Sequence, residues 1–198
     1  MDQEQLNREL LEAAVRGDTK SVEDLVARGA NVNCKDEEYY GQSPLHRAAA
    51  RGHTETVSRL VELGGDVNGK TNLGQSPLHL AAWEGHTETV SRLVELGGDV
   101  NGKDESGWSP LHLAALNGLT ETVSRLVELG GDVNGKDNLG QSPLHLAAVK
   151  GRTETVSRLV ELGGHVNAKD NEGETPYDLA DNDDIRELLS VYLPMFYV

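Results

Sequence analysis

Every 33 residues this chain restates itself. Ser-Pro-Leu-His stands at Ser43, Ser76, Ser109 and Ser142, and Thr-Pro-Tyr-Asp follows at Thr175. Thr-Glu-Thr-Val-Ser-Arg-Leu-Val-Glu-Leu-Gly-Gly begins at Thr54, Thr87, Thr120 and Thr153, identical each time. A unit this short has too little apolar surface to fold alone. Repetition at a fixed period of this size therefore specifies a stacked array in which neighbours bury each other's faces.

Each unit reads the same way. Ser43 is a good helix N-cap, and Pro44 suits the first helical position, where its missing N–H costs nothing. Leu45, Ala48 and Ala49 form one apolar face, and Gly52 ends the helix. Thr54 is read as the cap of a second helix whose buried stripe is Val57, Leu60 and Val61. Gly64 and Gly65 stop it. Asn68-Gly69 is a strong turn signal, and Gly74 closes a hairpin-like finger before the next Ser-Pro. The expectation is an all-α solenoid of helix, turn, helix and β-hairpin finger.

The whole of 1–198 is read as one domain. Residues 1–40 form an N-terminal capping repeat with an extended finger, and 41–73, 74–106, 107–139 and 140–172 are full repeats. Residues 173–198 form a shortened C-terminal cap with the apolar tail 191–198. The polar Gln3, Glu4, Asn7 and Arg8 suit a water-facing cap, and Asp181 to Leu189 is short between its helices. The tail reads either as a lid over the last helix pair or as a segment that docks on a partner or a second copy.

Composition narrows the classes further. The net charge is −15, and the arginines recur singly, one column per unit. Nucleic acid and anionic membranes are poor partners for such a chain. No apolar run approaches the roughly 20 residues of a membrane helix, and no signal peptide follows Met1. The single cysteine, Cys34, fills a column held elsewhere by Gly69, Gly102, Gly135 and Ala168, so it reads as a small turn residue. One thiol suits a reducing, cytoplasmic setting or a recombinant chain.

With Ser-Pro-Leu-His-Leu-Ala-Ala, then Gly-His, then Gly-Asp-Val-Asn recurring in register, the sequence resembles the ankyrin-repeat family over nearly its whole length. The resemblance implies a curved solenoid that binds proteins through its fingers and the concave face of its first helices. It also implies that the recurring His46, His79, His112 and His145 tie neighbouring loops by hydrogen bonds, and that Asn68, Asn101 and Asn134 (with Asn167) could serve as substrates of an asparaginyl hydroxylase. The plainer reading of these asparagines is a turn residue bonding to its own backbone. The sequence departs from the family at Gly65, Gly98 and Gly131, where Ala is usual. It departs again at Arg47, which replaces the Leu of later units, and at the two extra residues within Glu37-Glu38-Tyr39-Tyr40.

Chemistry finds little support. Gly64 to Thr71 matches the phosphate-loop pattern letter by letter, but that loop needs a strand before it and a helix straight after it. A helix precedes this one and a finger follows. The histidines lie on successive layers and so do not converge on a metal. No catalytic constellation, cofactor site or metal site is expected, and the chain is read as no enzyme.

The units differ in few columns. These are the finger (Leu73, Leu139, with Tyr39 and Tyr40 in the first), the residue after its Gly (Gln42, Gln75, Trp108), and the end of the first helix with the residue beyond it. The last group holds Arg51, Trp83, Glu84, His86, Leu116, Asn117, Leu119, Val149, Lys150 and Arg152. Trp83, Trp108, Leu116, Leu119, Leu73, Leu139 and Val149 are expected to face solvent, as a protein-binding centre with a polar rim does. The alternative is that Trp83 and Leu116 pack against the next unit. The partner expected is a protein or peptide, bound by a chain that is monomeric alone unless the tail self-associates. The near identity of the units points to recent duplication or to engineered construction from a consensus unit, a stable scaffold with no natural ligand being the alternative.

Overall fold

The computed structural model describes residues 2–193. Among them the regular elements are helical, and no strand forms. The helices pair along the chain as α1 (Gln3–Arg16) with α2 (Thr19–Ala27), α3 (Pro44–Ala50) with α4 (Thr54–Glu62), and α5 (Pro77–Glu84) with α6 (Thr87–Glu95). Then come α7 (Pro110–Leu116) with α8 (Thr120–Glu128), α9 (Pro143–Val149) with α10 (Thr153–Glu161), and α11 (Asp183–Ser190). The first helices pack α1 on α3 on α5 on α7 on α9, and the second helices pack in a parallel layer.

Each first helix starts where Ser and Pro place it. Ser43 holds extended backbone, and its side chain accepts from the His46 N–H. The His46 ring returns the favour, taking the Ser43 N–H on Nδ1, so two orphan donors of the helix start are satisfied at once. Ser76 and Ser109 do the same with His79 and His112, and the His145 ring likewise takes the Ser142 N–H on Nδ1. Leu45, Ala48 and Ala49 are buried together. The small Ala pair lets the first helices approach closely, and Leu60, Leu93, Leu126 and Leu159 fill the layer beneath them. Each fully buried Leu contributes on the order of 2 kcal/mol.

Gly52 ends α3 at φ 71°, where only Gly is unstrained. A Cβ there would also lie 2.6 Å from the His86 ring of the following unit. Steric room and backbone conformation thus demand the same residue.

Three expectations are corrected. Thr54 does not cap α4: the N-cap is His53, with no side-chain capping bond. The Thr54 hydroxyl instead meets Thr89 of the next unit at 2.8 Å, as Thr87 meets Thr122 and Thr120 meets Thr155. The fingers are turns and not β-hairpins. Single bonds such as Thr71 N–H to the Gln75 carbonyl close them, and the one isolated bridge among the described residues joins Asp36 and Gln42. Finally, among the described residues the C-terminal cap has one helix: Thr175–Ala180 makes turns, and α11 packs on α10. Val191 and Tyr192 are exposed, and the Tyr192 carbonyl accepts from Asn167 at 3.1 Å; residues 194–198 lie outside the described residues.

Candidate interaction surface

A cleft of about 1160 Å³ shows which surfaces face a common space. Leu11 and Val15 of α1, Glu38 and Tyr39 of the first finger, and Arg47 and Arg51 of α3 all line it. In the first two units, then, the first helices and the finger border one cleft. Matching Gly17 to Gly52 puts Val15 in the column of Ala50, Trp83, Leu116 and Val149. The sequence reading missed Val15, although the two glycines signal the match.

Of the large exposed apolar side chains among the described residues, Tyr39 lines this cleft and most of the others recur at the same two kinds of position in later units. Tyr39, Tyr40 (61%), Leu73 and Leu139 (64%) stand on the fingers, and Trp83 (41%) and Val149 at first-helix ends. The only others are Val191 and Tyr192. Arg51, Glu84 and Lys150 are exposed beside them.

Other expected site residues are partly absorbed by the frame. Trp108, Leu116 and Leu119 are half-buried, not solvent-facing. The Trp108 indole N–H donates to Asp137 Oδ2 at 2.8 Å, and its carbonyl accepts from His79. Gln42 and Gln75 are half-buried at finger bases, and the Gln75 carbonyl accepts from His46.

The column after the helix-end glycine has a structural duty that sequence comparison did not reveal. His53 Nε2 binds the Val15 carbonyl at 2.9 Å and His86 Nε2 the Ala50 carbonyl at 3.1 Å, each in the preceding unit. Leu119 cannot make this bond and packs against the core instead. Asn117 takes over, donating to the Trp83 carbonyl at 3.0 Å, and Arg152 Nε reaches the Leu116 carbonyl at 3.1 Å. His86, Asn117 and Arg152 thus cap the preceding helix.

The enlarged first finger is organised around Arg47. Its guanidinium donates to Asp36 at 2.6 Å and lies 3.8 Å from the Tyr39 ring centre. Its Nε is buried with no hydrogen-bond partner among the described residues, and the ring face stands in for one. Tyr40 adopts a left-handed conformation at φ 56°, a cost held in place by its carbonyl's bond to the Asn72 N–H.

The recurring polar columns are joints between units. Asn68 donates to the Gly97 carbonyl and accepts from the Asp99 N–H, so it bonds the next unit and not its own turn. Asn101 and Asn134 do likewise. With Nδ1 of His46 occupied as acceptor, the proton sits on Nε2, which donates to Gln75 at 2.9 Å. Burial pushes His46 down to about 4 and lowers His79, His112 and His145. Burial likewise raises the Cys34 thiol to about 11, leaving it protonated at neutral pH. The Thr71 hydroxyl of the phosphate-loop look-alike accepts from Leu73 and Gln75 N–H groups, and no helix opens after it. Lys35, Lys70, Lys103 and Lys136 each reach the carbonyl of the next unit's lysine, a row the sequence reading passed over. No cluster of His, Cys, Asp or Glu among the described residues is arranged to hold a metal. No described helix is long and apolar enough to cross a membrane.

No curated protein sequence matches the chain significantly. The family model for ankyrin repeats (3 copies) matches residues 10–104 and 96–170. The matches span the paired helices, the capped Ser-Pro starts and the joints described above, and on them the chain belongs to the ankyrin-repeat family.

Proposed function

We propose that the protein is a non-enzymatic interaction module that holds a protein or peptide partner against its first-helix ends and fingers. Ankyrin repeats are generally protein–protein interaction modules. The observation that carries the reading is the recurrence of exposed Tyr39, Tyr40, Leu73, Trp83, Leu139 and Val149 at the fingers and first-helix ends of successive units. Apolar area left in water in such a pattern is what partners cover. Arg51, Glu84 and Lys150 supply a rim, while Trp108, Leu116 and Leu119 support the surface from behind. The uniform second helices are inert frame, in keeping with construction from one consensus unit.

The test is affinity capture with the intact protein, followed by titration of the captured partner. Trp83→Ala should weaken binding by about 2 kcal/mol or more, as a central aromatic anchor does. Trp83 has more than half of its surface covered by the fold, so binding is compared at a temperature where circular dichroism shows both proteins equally folded. Unchanged affinity in both Trp83→Ala and Val149→Ala would place the site elsewhere.

A further inference from the structure

We infer that Asn68, Asn101 and Asn134 are sites of self-modification, at which the side-chain amide leaves as ammonia and a joint between two units is cut. Each donates to a glycine carbonyl of the next unit and accepts the backbone N–H two residues beyond it, Asn68 at 3.0 and 2.9 Å. Each is followed by glycine. Asn33 makes the same joint with Gly64 and Asp66, but Cys34 follows it. Asn167 donates in the same way to the Tyr192 carbonyl, but Ala168 follows it. The fold does not ask for glycine here. Gly69, Gly102 and Gly135 lie outside the left-handed region that Gly52 and Gly64 occupy. Their N–H groups close a turn onto the Asp66, Asp99 and Asp132 carbonyls, and Cys34 and Ala168 close the same turn with a side chain in place. The nearest atoms to a Cβ on Gly69 would all belong to Asp66, its carbonyl oxygen at 3.2 Å.

What glycine changes is the chemistry of the asparagine before it. With no Cβ in the way, the glycine main-chain nitrogen can reach the asparagine Cγ. The N–Cγ bond forms, the glycine nitrogen gives up its proton, and the amide nitrogen departs with it as ammonia, leaving a five-membered succinimide. Water then opens the ring at one of its two carbonyls. One opening gives aspartate; the other gives isoaspartate, whose main chain runs through Cβ and Cγ. Either way the Nδ2–H donor to the Gly97 carbonyl is gone and a carboxylate has taken the place of the amide. While the joint is closed, the Asn68 amide is held at both ends and the Gly69 N–H is spent on Asp66. The ring therefore closes when neighbouring units part, and each closure makes the next parting easier. The remaining Asn-Gly pair, Asn117-Gly118, stands apart. Its glycine is accounted for by a φ of 73°, and its asparagine bonds Trp83 in the first-helix layer.

The test ages the full-length protein in warm, mildly alkaline buffer and maps each asparagine by mass spectrometry. Cleavage must be at lysine alone, because cleavage at arginine too yields one identical fragment from all three sites, 60–70, 93–103 and 126–136. Asn68, Asn101 and Asn134 should convert to aspartate and isoaspartate about tenfold faster than Asn33 and Asn167, which make the joint without a following glycine. Asn167 is the stricter comparison, because it bonds the chain just beyond α11, where opening is easiest. Gly69→Ala/Gly102→Ala/Gly135→Ala should keep the circular dichroism of the wild type and bring all three rates down to that of Asn167. Its melting temperature should hold through the ageing that lowers the wild type's. The comparison within the wild type stands whether or not the variant folds. Asn167 converting as fast as Asn134 overturns the proposal, and so does a wild type that converts only in urea. A wild type that converts fully and still melts where it began overturns the cutting of the joint.

Discussion

Leu119 shows how one residue reassigns its neighbours. Where His53 and His86 hold the carbonyl of the unit before, Leu119 contributes only packing, and Asn117 makes the bond. Leu119→His should restore the imidazole bond and make Asn117 redundant. We expect Asn117→Ala to cost about 1 kcal/mol in the natural background and close to nothing beside Leu119→His. Equal costs in both backgrounds, measured by urea denaturation, would show that the two side chains do not share the duty. The four buried histidines set a pH dependence. Folding holds them neutral, with His46 down at about 4, while the unfolded chain takes up their protons near pH 6.5. Because the folded value is the lower one, acidification favours the unfolded state throughout that window. His46 alone should cost about 2 kcal/mol at pH 5 relative to pH 7.5. Thermal melts at the two pH values check this; a midpoint that holds level or rises on acidification contradicts it.

Among the elements, the pairs are uniform until the last. The Thr175–Ala180 segment makes turns where other units place a first helix, so among the described residues α11 covers α10 without a paired first helix. Protection against hydrogen exchange should therefore be lowest in α11, highest in α5 to α8, and graded between them. Uniform protection would mean that the array unfolds as one cooperative block. Helix existence was legible because Ser-Pro starts, glycine stops and aliphatic spacing are local signals. Finger geometry was not, because Asn-Gly signals a turn without revealing whether its flanks pair. The Thr54 hydroxyl misled for a related reason: a residue that caps locally was already engaged by Thr89, 35 residues on. Some residues of the varied columns had the same fate. Variation at His86, Asn117 and Arg152 resembled diversity for a partner, yet their bonds run to the preceding unit, which a column comparison cannot see. Exposure of Trp83, Leu73 and Leu139 was legible because nothing in the unit offered them a neighbour.

At the scale of the molecule, the joints between units mostly end on main-chain carbonyls: Ala50 and Gly97 take side chains from the following or preceding unit, and Gln75 takes His46. A carbonyl is present whatever residue carries it. Removal of residues 107–139 would give Arg152 the Trp83 carbonyl in place of Leu116, and Asn101 the Gly163 carbonyl in place of Gly130. The shortened protein should keep its ellipticity per residue and melt cooperatively a few degrees lower, since one interface term is lost. A broad, non-cooperative melt would show that some joint depends on the identity of its neighbour. For a lineage, or a workshop, that copies such units, length becomes a dial and not a commitment. Recombination can slip by one period and still deliver a folded product, so the groove can be cut to the partner after the fold is settled.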